Sequence, residues 1–345
     1  MTKTAVVLFN LGGPDSAAAV EPFLFNLFSD PAIIALPNPL RFLLAKFIAK
    51  QRGSVARAIY AKIGSASPLL PNTVMQAQAL EKILGPETRV FIAMRYWSPR
   101  ADEAAAAVKA WGAEKIILLP LYPQFSTTTT ASSVKDWNRA AAAAKLTAPT
   151  QVVCCYPTEP GFIEALANNT KAALASWPAD AGSPRILFSA HGLPKRIVER
   201  GDPYQAQVEQ TAAQLRAAIA RPELEMIVCY QSRVGRLEWL GPATDAEIRR
   251  AGSERKGLIV VPIAFVSEHS ETLVELDIEY RHVADAAGVP RYVRVPTVGI
   301  APSFIAGLAA LVRGATQSPA MVWWAEGGQS HCPEICVRCA QRQAA

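Results

Sequence analysis

Two short stretches decide the fold, VLFNLGGP at Val7–Pro14 and ILFSAHGLP at Ile186–Pro194. Each is an apolar run that ends in a turn with glycine and proline, the pattern of a buried strand leaving a parallel sheet. A second similar pair follows, ILLPLYPQFS at 117–126 and LIVVPIAFVS at 258–267. The pattern indicates one α/β unit repeated twice. The alternative is that buried strands followed by turns resemble each other here by chance.

Eight apolar runs alternate with longer amphipathic or alanine-rich segments, which predicts βα units and parallel sheets. The predicted strands cover residues 5–11, 90–94, 115–121, 151–155, 185–189, 226–230, 257–265 and 291–295. We expect an N-terminal lobe at 1–155 and a C-terminal lobe at 156–300. A late helix (302–313) and a cysteine-rich tail, together 301–345, should pack back on the lobes. Because open α/β sheets bind ligands at strand carboxyl ends, an active cleft is expected between the lobes.

The composition describes an ordinary globular protein and narrows its partners. Of 345 residues, 50% are hydrophobic and 19% are charged, and the net charge is +6. A basic surface suits nucleic acid, an anionic membrane or a carboxylate-bearing substrate, but no nucleic-acid-reading motif supports the first. Six cysteines make no disulfide scaffold here and no signal peptide is recognisable, so a cytoplasmic protein is expected. No apolar run approaches the roughly 20 residues that span a bilayer, so any membrane contact should be peripheral.

The segment SEHSETLVELDIEY begins at Ser267, directly after a predicted strand, and carries a row of glutamates. With Ser267 as N-cap, we expect a helix in which these glutamates share one face. They are Glu268, Glu271, Glu275 and Glu279. A solvated helix face is the simple alternative. The position at a strand end and the neighbouring His269 favour a functional site.

His191 follows another predicted strand, on a turn that Gly192 and Pro194 keep from continuing as a helix. A single loop histidine is commonly structural or merely exposed. Here, however, the helix that carries the row of glutamates is predicted at another strand end. Imidazole and carboxylate ligands bind ferrous iron, and histidine accepts protons near neutral pH. The combination predicts a site that handles both a metal and protons.

At these residues the chain resembles the ferrochelatases, and the resemblance runs in order along almost the whole chain. The segments that carry it are LFNLGGPDS, IGSASPL, RYWSP, LPLYPQFSTTTTASS, FSAHGLPKRIVERGDPY, YQSRVGRLEWLGPATD and PIAFVSEHSETLVELDIEY. It implies two similar Rossmann-like lobes of the chelatase type, each with a four-stranded parallel sheet flanked by helices, around a porphyrin cleft. It also implies a bacterial enzyme that inserts Fe²⁺ into protoporphyrin IX, forming protohaem with release of two protons, the terminal step of haem biosynthesis.

The same resemblance implies roles for individual residues. His191 matches the active-site histidine that deprotonates pyrrole or binds metal, and Glu271 matches its partner carboxylate. The polar track that would carry iron or protons also includes His269, Glu268 and Glu275. The porphyrin propionates are expected at Arg95, Arg52 and Ser67. The apolar walls of the site are expected at Leu11, Tyr60, Tyr96 and Trp239.

Three cysteines in the tail, Cys332, Cys336 and Cys339, lie close enough in sequence to suggest a metal rather than disulfides. A [2Fe–2S] cluster, which many ferrochelatases carry, needs a fourth thiolate, and Cys155 or Cys154 would supply it. The tail departs from the cysteine spacing of the animal enzymes, and Thr127 stands where those enzymes use an internal cysteine. A zinc site and free thiols are the alternatives.

The stretch Ile33–Arg52 is apolar, with basic residues clustered late. It fits a helix lying on an anionic membrane surface, or equally a cleft-lip or core-facing helix, and the resemblance favours an apolar lip at the cleft mouth. If the helix lies on a membrane surface, the protein would be peripheral on the cytoplasmic face of the inner membrane. A monomer and a homodimer are equally consistent with the sequence.

Other functions remain to be distinguished. A chelatase for coproporphyrin would need only a few changed propionate anchors, whereas sirohydrochlorin chelatases are often shorter. A haem or porphyrin carrier is the rival from another class of protein. A carrier has no need for a histidine base opposite an acidic track, so His191 and Glu271 favour an enzyme.

Overall fold

The structure is a computed structural model that describes residues 2–235, 237–318, 323–324 and 332–340. The chain divides into two compact units. The first contains the residues up to Cys155 and the described residues from Leu308 to Trp324. The second contains Tyr156–Gly307 and the described residues 332–340. Each unit is built around its own sheet.

The described residues form nine strands, all paired in parallel. They are β1 (Thr4–Asn10), β2 (Thr88–Met94), β3 (Lys115–Pro120), β4 (Thr150–Val153), β5 (Arg185–His191), β6 (Met226–Gln231), β7 (Leu258–Pro262), β8 (Tyr292–Arg294) and β9 (Trp323–Trp324). The strand orders are β2-β1-β3-β4-β9 in the first unit and β6-β5-β7-β8 in the second. The predicted α/β class and all eight predicted strands are confirmed.

The first sheet has five strands rather than the predicted four. The additional strand, β9, consists of Trp323 and Trp324, which pair with Val152 and Val153 of β4. A two-residue strand is too short to show a hydrophobic period, so the sequence pattern could not reveal it.

Eleven α-helices lie in the described residues. They are α1 (Val20–Phe28), α2 (Leu40–Ala61), α3 (Leu69–Leu84), α4 (Ala101–Trp111), α5 (Thr130–Ala143), α6 (Pro160–Ala175), α7 (Lys195–Glu199), α8 (Tyr204–Ile219), α9 (Thr244–Ser253), α10 (Tyr280–Ala286) and α11 (Pro302–Gln317). A 3₁₀ helix covers Ala179–Ala181, and a π-helix covers Glu271–Glu279. The predicted late helix forms as α11 and extends to Gln317.

The central strands are mostly apolar because parallel strands in the middle of a sheet are buried on both faces. Every residue of β1 and of β7 is buried. In the first unit, Phe9 of β1 lies 6.2 Å from the buried Trp137 of α5, measured between ring centroids. In the second unit, Leu276 and Ile248 belong to the same buried cluster as β5 and β7. These cores hold the strand ends, where polar residues begin, in fixed positions.

The glutamate segment differs from the α-helix predicted to begin after Ser267. The helix begins at Glu271, is a π-helix, and is preceded by a loop, with Ser270 at its N-cap and no side-chain cap hydrogen bond. At its end the Tyr280 N–H donates to the Glu275 carbonyl, the i→i+5 bond of a π-helix. The prediction failed because π- and α-helical turns place apolar residues at similar intervals over so short a segment.

No described helix is long and apolar enough to cross a membrane. Within the apolar stretch Ile33–Arg52, helix begins only at Leu40, as α2. Several large apolar side chains of α2 are more than half exposed, namely Leu40, Leu43 and Phe47. Helix α2 therefore presents apolar surface that no described residue covers.

Candidate active site

Three strand ends of the second sheet supply the candidate site. His191 is the last residue of β5 rather than part of the turn after it, and Gln231 is the last residue of the neighbouring β6. The loop that follows β7 leads into the π-helix with Glu271. Carboxyl ends of adjacent parallel strands lie at one edge of a sheet, which is why residues so distant in sequence meet.

A histidine, a carboxylate and a second histidine lie in a row at this edge. The His191 Nε2 atom is 3.5 Å from one carboxylate oxygen of Glu271, and the His269 Nε2 atom is 3.3 Å from the other. The His191 Nδ1 atom lies 2.6 Å from the Gly192 carbonyl oxygen, so it donates there and leaves Nε2 for the carboxylate. The structure thus brings together three of the five residues expected to handle metal. About two fifths of the His191 side chain stays exposed (40%), which leaves room for a substrate to reach it.

The charges in this row reinforce each other. Burial disfavours the charged imidazolium, but the Glu271 carboxylate, together with the Gly192 carbonyl and Glu275, outweighs burial and raises the pKa of His191 to about 9. Burial likewise opposes ionisation of Glu271, but His191 and His269 hold the pKa of this carboxyl well below its usual range. At neutral pH the pair is therefore an imidazolium next to a carboxylate.

Glu275, one turn further along the π-helix, has a different environment. Its carboxylate accepts hydrogen bonds from the Ser232 N–H (2.7 Å) and hydroxyl, from Gln231 Nε2 (3.0 Å) and from the Tyr280 hydroxyl (3.1 Å). Burial, and the negative charge of Glu271, nevertheless raise the pKa of Glu275. The two glutamates have pKa values shifted in opposite directions, as is common where one site needs both a fixed charge and a proton acceptor.

Glu268 does not join this group. It lies in the loop before the π-helix, where its Oε1 atom accepts hydrogen bonds from Arg294 Nη1 (2.6 Å) and from the Thr297 N–H (2.9 Å). Glu279, at the other end of the expected stripe, is exposed. The predicted single face of four glutamates is thus divided, because the loop and the wider π-helical turn change the direction of each side chain.

Further polar residues in the site were not predicted. The Tyr204 hydroxyl donates to the backbone carbonyl of His191 (3.0 Å), and Gln231 Nε2 donates to the backbone carbonyl of Glu271 (3.0 Å). Ser232 holds Glu275. Gln231 and Ser232 follow directly on a predicted strand, a position that could have identified them. Tyr204 does not follow a predicted strand, so its sequence position did not mark it as part of the site.

Trp239 lies beside His191 in the second unit. Its backbone forms a bridge with Pro194, and its indole N–H donates to the Val234 carbonyl (3.0 Å). A Cβ atom on Gly192 would lie 3.2 Å from the indole ring and 2.7 Å from the Gln231 carbonyl. Glycine at 192 therefore lets the ring and the end of β6 approach the residue that follows His191.

The remaining residues expected to bind porphyrin lie in the first unit. Tyr60 and Tyr96 belong to a buried apolar cluster, with Leu11 packed against it. Ser67 is so close to Gly13 that a Cβ atom there would meet its side chain at 2.5 Å. Arg52 is exposed on α2, and no described residue pairs with it.

Arg95 is already paired with carboxylates of its own unit. Its Nη2 atom lies 2.8 Å from Asp30 and its Nη1 atom 3.5 Å from Asp136. The Tyr96 hydroxyl also donates to Asp30 (2.8 Å). The charge of Arg95 is therefore compensated within the protein, which leaves Arg52 as the more available cation for a propionate.

The three tail cysteines are buried in one cluster of the second unit. Gln207 of α8 donates to the Cys332 sulfur (3.1 Å), and the Arg338 N–H donates to the Gly201 carbonyl (3.0 Å). Cys154 and Cys155, the candidates for a fourth ligand, are buried in the first unit. Among the described residues, no set of three or more histidine, cysteine or carboxylate side chains is arranged as a metal site. The three tail thiols are thus buried together, but the described residues do not form a complete set of four thiolates, so the fit to a [2Fe–2S] cluster is partial.

The fold resembles that of solved proteins of the chelatase class. The iron-bound SirB of Bacillus subtilis has a similar fold, with a TM-score of 0.51 and 13% identity over 92% of this chain and 96% of that one. The multi-domain chelatase-like DR2241 of Deinococcus radiodurans has a TM-score of 0.50 and 13% identity over 92% of this chain and 55% of its own. At such identities the likeness concerns the fold alone.

Sequence comparison identifies the family within that class. The ferrochelatase family model matches residues 3–316. The ferrochelatase of Caulobacter vibrioides is 54% identical over 96% of this chain and 97% of its own, and that of Phenylobacterium zucineum is 54% identical over 99% and 98%. The chain belongs to the ferrochelatase family. It is accordingly a metal chelatase, a ferro-lyase of haem synthesis with a porphyrin and Fe²⁺ as substrates.

Proposed function

We propose that this chain inserts Fe²⁺ into protoporphyrin IX at the His191–Glu271 pair and releases the two pyrrole protons as protohaem forms. The observation that carries this proposal is the row of His191, Glu271 and His269 at the carboxyl edge of the second sheet. Imidazole and carboxylate together suit ferrous iron, and both can exchange protons.

The chemistry requires a base and a negative charge in one place. One Fe²⁺ replaces two protons on a neutral porphyrin, so each turnover yields neutral haem and two protons. Glu271, whose pKa is lowered, supplies the fixed negative charge that attracts the metal. His191 loses its proton when iron approaches the pair, and its Nε2 atom then binds iron or accepts a pyrrole proton. Glu275, whose pKa is raised, takes up protons from this pair. His269 contacts the second carboxylate oxygen of Glu271 and belongs to the same group.

The porphyrin site would combine apolar walls with a few anchors. Trp239, Leu11, Tyr60 and Tyr96 would contact the macrocycle, with Ser67, Arg95 and Arg52 near the propionates. Walls that favour a puckered ring expose the nitrogen lone pairs and lower the barrier to metallation. Arg52 is exposed and available, so Arg52→Ala should raise the KM for porphyrin with little effect on kcat.

Anaerobic metallation by the purified protein tests the central proposal. Wild type, His191→Ala and the exposed control His282→Ala are compared with Fe²⁺ and protoporphyrin IX or coproporphyrin. We expect turnover of protoporphyrin that falls by at least about a hundredfold in His191→Ala, as loss of a general base does, and that is unchanged in His282→Ala. Preference for coproporphyrin would correct the substrate. Tight binding of either porphyrin without turnover would identify a carrier instead.

We also propose a [2Fe–2S] cluster held by Cys332, Cys336, Cys339 and either Cys155 or Cys154. Three buried thiols in one cluster support it. Electron paramagnetic resonance of the dithionite-reduced protein, purified without oxygen, should show the signal of such a cluster, and Cys336→Ser should abolish it. Stoichiometric zinc without that signal would favour the zinc alternative, and metal-free protein would favour free thiols.

For its location we propose the cytoplasm, with peripheral membrane contact through α2. The support is the exposed apolar surface of Leu40, Leu43 and Phe47 beside the basic residues Lys46 and Lys50. Apolar and basic groups together are what an anionic bilayer surface attracts.

A further inference from the structure

Arg294, the last residue of β8, binds two carboxylates, one in the loop before the π-helix and one in the last turn of that helix. Its Nε and Nη2 atoms donate to the two oxygens of Asp277, at 2.9 and 2.5 Å. Its Nη1 atom donates to Glu268 at 2.6 Å. Only 9% of the side chain is exposed. One guanidinium thus connects the loop before the π-helix to the last turn of the π-helix, through the bidentate geometry that only arginine provides.

The same strand holds the π-helix at a second point. Tyr292, two residues earlier and therefore on the same side of β8, donates its hydroxyl to the backbone carbonyl of Leu276 (2.8 Å). β8 pairs with β7, whose carboxyl end leads into the loop with Glu268. Loop, helix and sheet are thereby joined around Arg294, with Glu271 between the two carboxylates in sequence.

We propose that Arg294 is a positioning residue of the metallation site, and that Glu268 and Asp277 are its two attachment points. By binding both, Arg294 fixes the register of the π-helix and so places Glu271 opposite His191 and Glu275 opposite Ser232. A π-helix is rare, so contacts from outside the segment help its i→i+5 bonds to hold this register against the ordinary α-helix. Glu268 acts here through Arg294 rather than as an iron ligand. The inference rests on the proposed function of His191 and Glu271.

Steady-state kinetics of paired variants test this assignment. Arg294→Ala should lower kcat with Fe²⁺ by about ten- to a hundredfold, because small displacements of reacting groups are that costly. The dissociation constant for porphyrin, measured without iron, should stay within about twofold. Arg294→Lys, which retains the charge but not the fork, should recover part of the rate. Asp277→Asn keeps the shape of the site and should repeat the loss in a milder form, should Arg294→Ala not fold.

Glu268→Gln separates an attachment point from an iron ligand. In the wild-type background it should lower kcat, whereas in the Arg294→Ala background it should change kcat by less than about twofold. An equal loss in both backgrounds would overturn the proposal and make Glu268 a direct participant. Unchanged kcat in folded Arg294→Ala would overturn it as well.

Arg185 provides a matched control. It lies at the start of β5, is 2% exposed, and also pairs with two carboxylates, Glu225 and Glu254. Arg185→Ala should reduce thermal stability comparably but leave kcat and the KM for Fe²⁺ unchanged per folded molecule. Failure of the proposed function would be visible separately, as wild-type activity that His191→Ala does not reduce.

Discussion

At the scale of single residues, the His191–Glu271 pair determines how the site responds to pH. Two opposing effects act on His191: burial favours its neutral form, and Glu271 favours its charged form. Because Glu271 is the main group that opposes burial, removing its charge should lower the pKa of His191. At neutral pH the imidazole thus carries a proton, which iron would have to displace under the proposed function.

Glu271→Gln should lower the pKa of His191 well below about 9, since Glu271 is the main group that opposes the effect of burial. The measurement is an NMR titration of the imidazole carbons of metal-free protein, assigned with His191→Ala. His282→Ala removes an unrelated signal and serves as the assignment control. A pKa that remains near 9 in Glu271→Gln would show that another group provides the stabilising charge.

The same pair makes stability depend on pH. The pKa of folded His191 is raised, so its contribution is fully present below about pH 6.5 and is lost as pH rises through about 9. The pKa of Glu271 is lowered, so its contribution is present above about pH 4.5 and is lost as pH falls through its folded-state pKa. The difference in unfolding free energy between wild type and Glu271→Gln should therefore be largest between about pH 4.5 and 6.5. Urea titrations at about pH 5.5 and about pH 9.5 measure it, and equal differences would contradict this account.

At the scale of elements, close packing of helices depends on particular glycines. A Cβ atom on Gly252, in α9, would lie 2.1 Å from the Ala287 carbonyl oxygen after α10. Gly252→Ala should therefore destabilise the protein, by about 1–3 kcal/mol as overpacking does. Gly53, inside α2, would place its Cβ no closer than 3.5 Å to Arg57, so Gly53→Ala should stabilise by roughly 0.5–1 kcal/mol. Denaturant titrations of both variants measure these changes in the free energy of unfolding. An unchanged stability of Gly252→Ala would mean that α9 and α10 can move apart at little cost.

The elements also show what the sequence can and cannot predict. All eight predicted strands are short runs of mainly apolar residues between turns, so the sequence pattern was enough to find them. It was not enough to find the π-helix, because its hydrogen-bond pattern depends on contacts such as Tyr292 with Leu276, which come from a strand later in the chain. The pairing of His191 with Glu271 could be expected from two strand ends. The pairing of Glu268 with Arg294 could not, because a row of glutamates contains no information about which cation will face it.

At the scale of the whole molecule, the exposed side chains of α2 predict how the protein meets a bilayer. The wild type should co-sediment with vesicles containing anionic lipid, and high salt should weaken this binding because Lys46 and Lys50 contribute to it. The double variant Leu43→Ser/Phe47→Ser should bind at least about tenfold more weakly, since it loses two apolar contacts. Met75→Ser, a change at another exposed apolar residue of the first unit, is the control. Equal binding by all three proteins would exclude α2 as the contact.

The π-helix finally bears on how such a chain can change over generations. An α-helix makes the more favourable i→i+4 bonds, so losing one codon between residues 271 and 279 would let this segment rewind as an α-helix. The residues on either side of the deletion would then rotate by roughly 100° relative to one another, at 3.6 residues per turn. One of Glu271 and Glu275 would then leave its partner. The additional residue that makes this segment a π-helix is thus part of what the proposed metal insertion depends on, and a lineage that keeps the activity should keep the length of the segment.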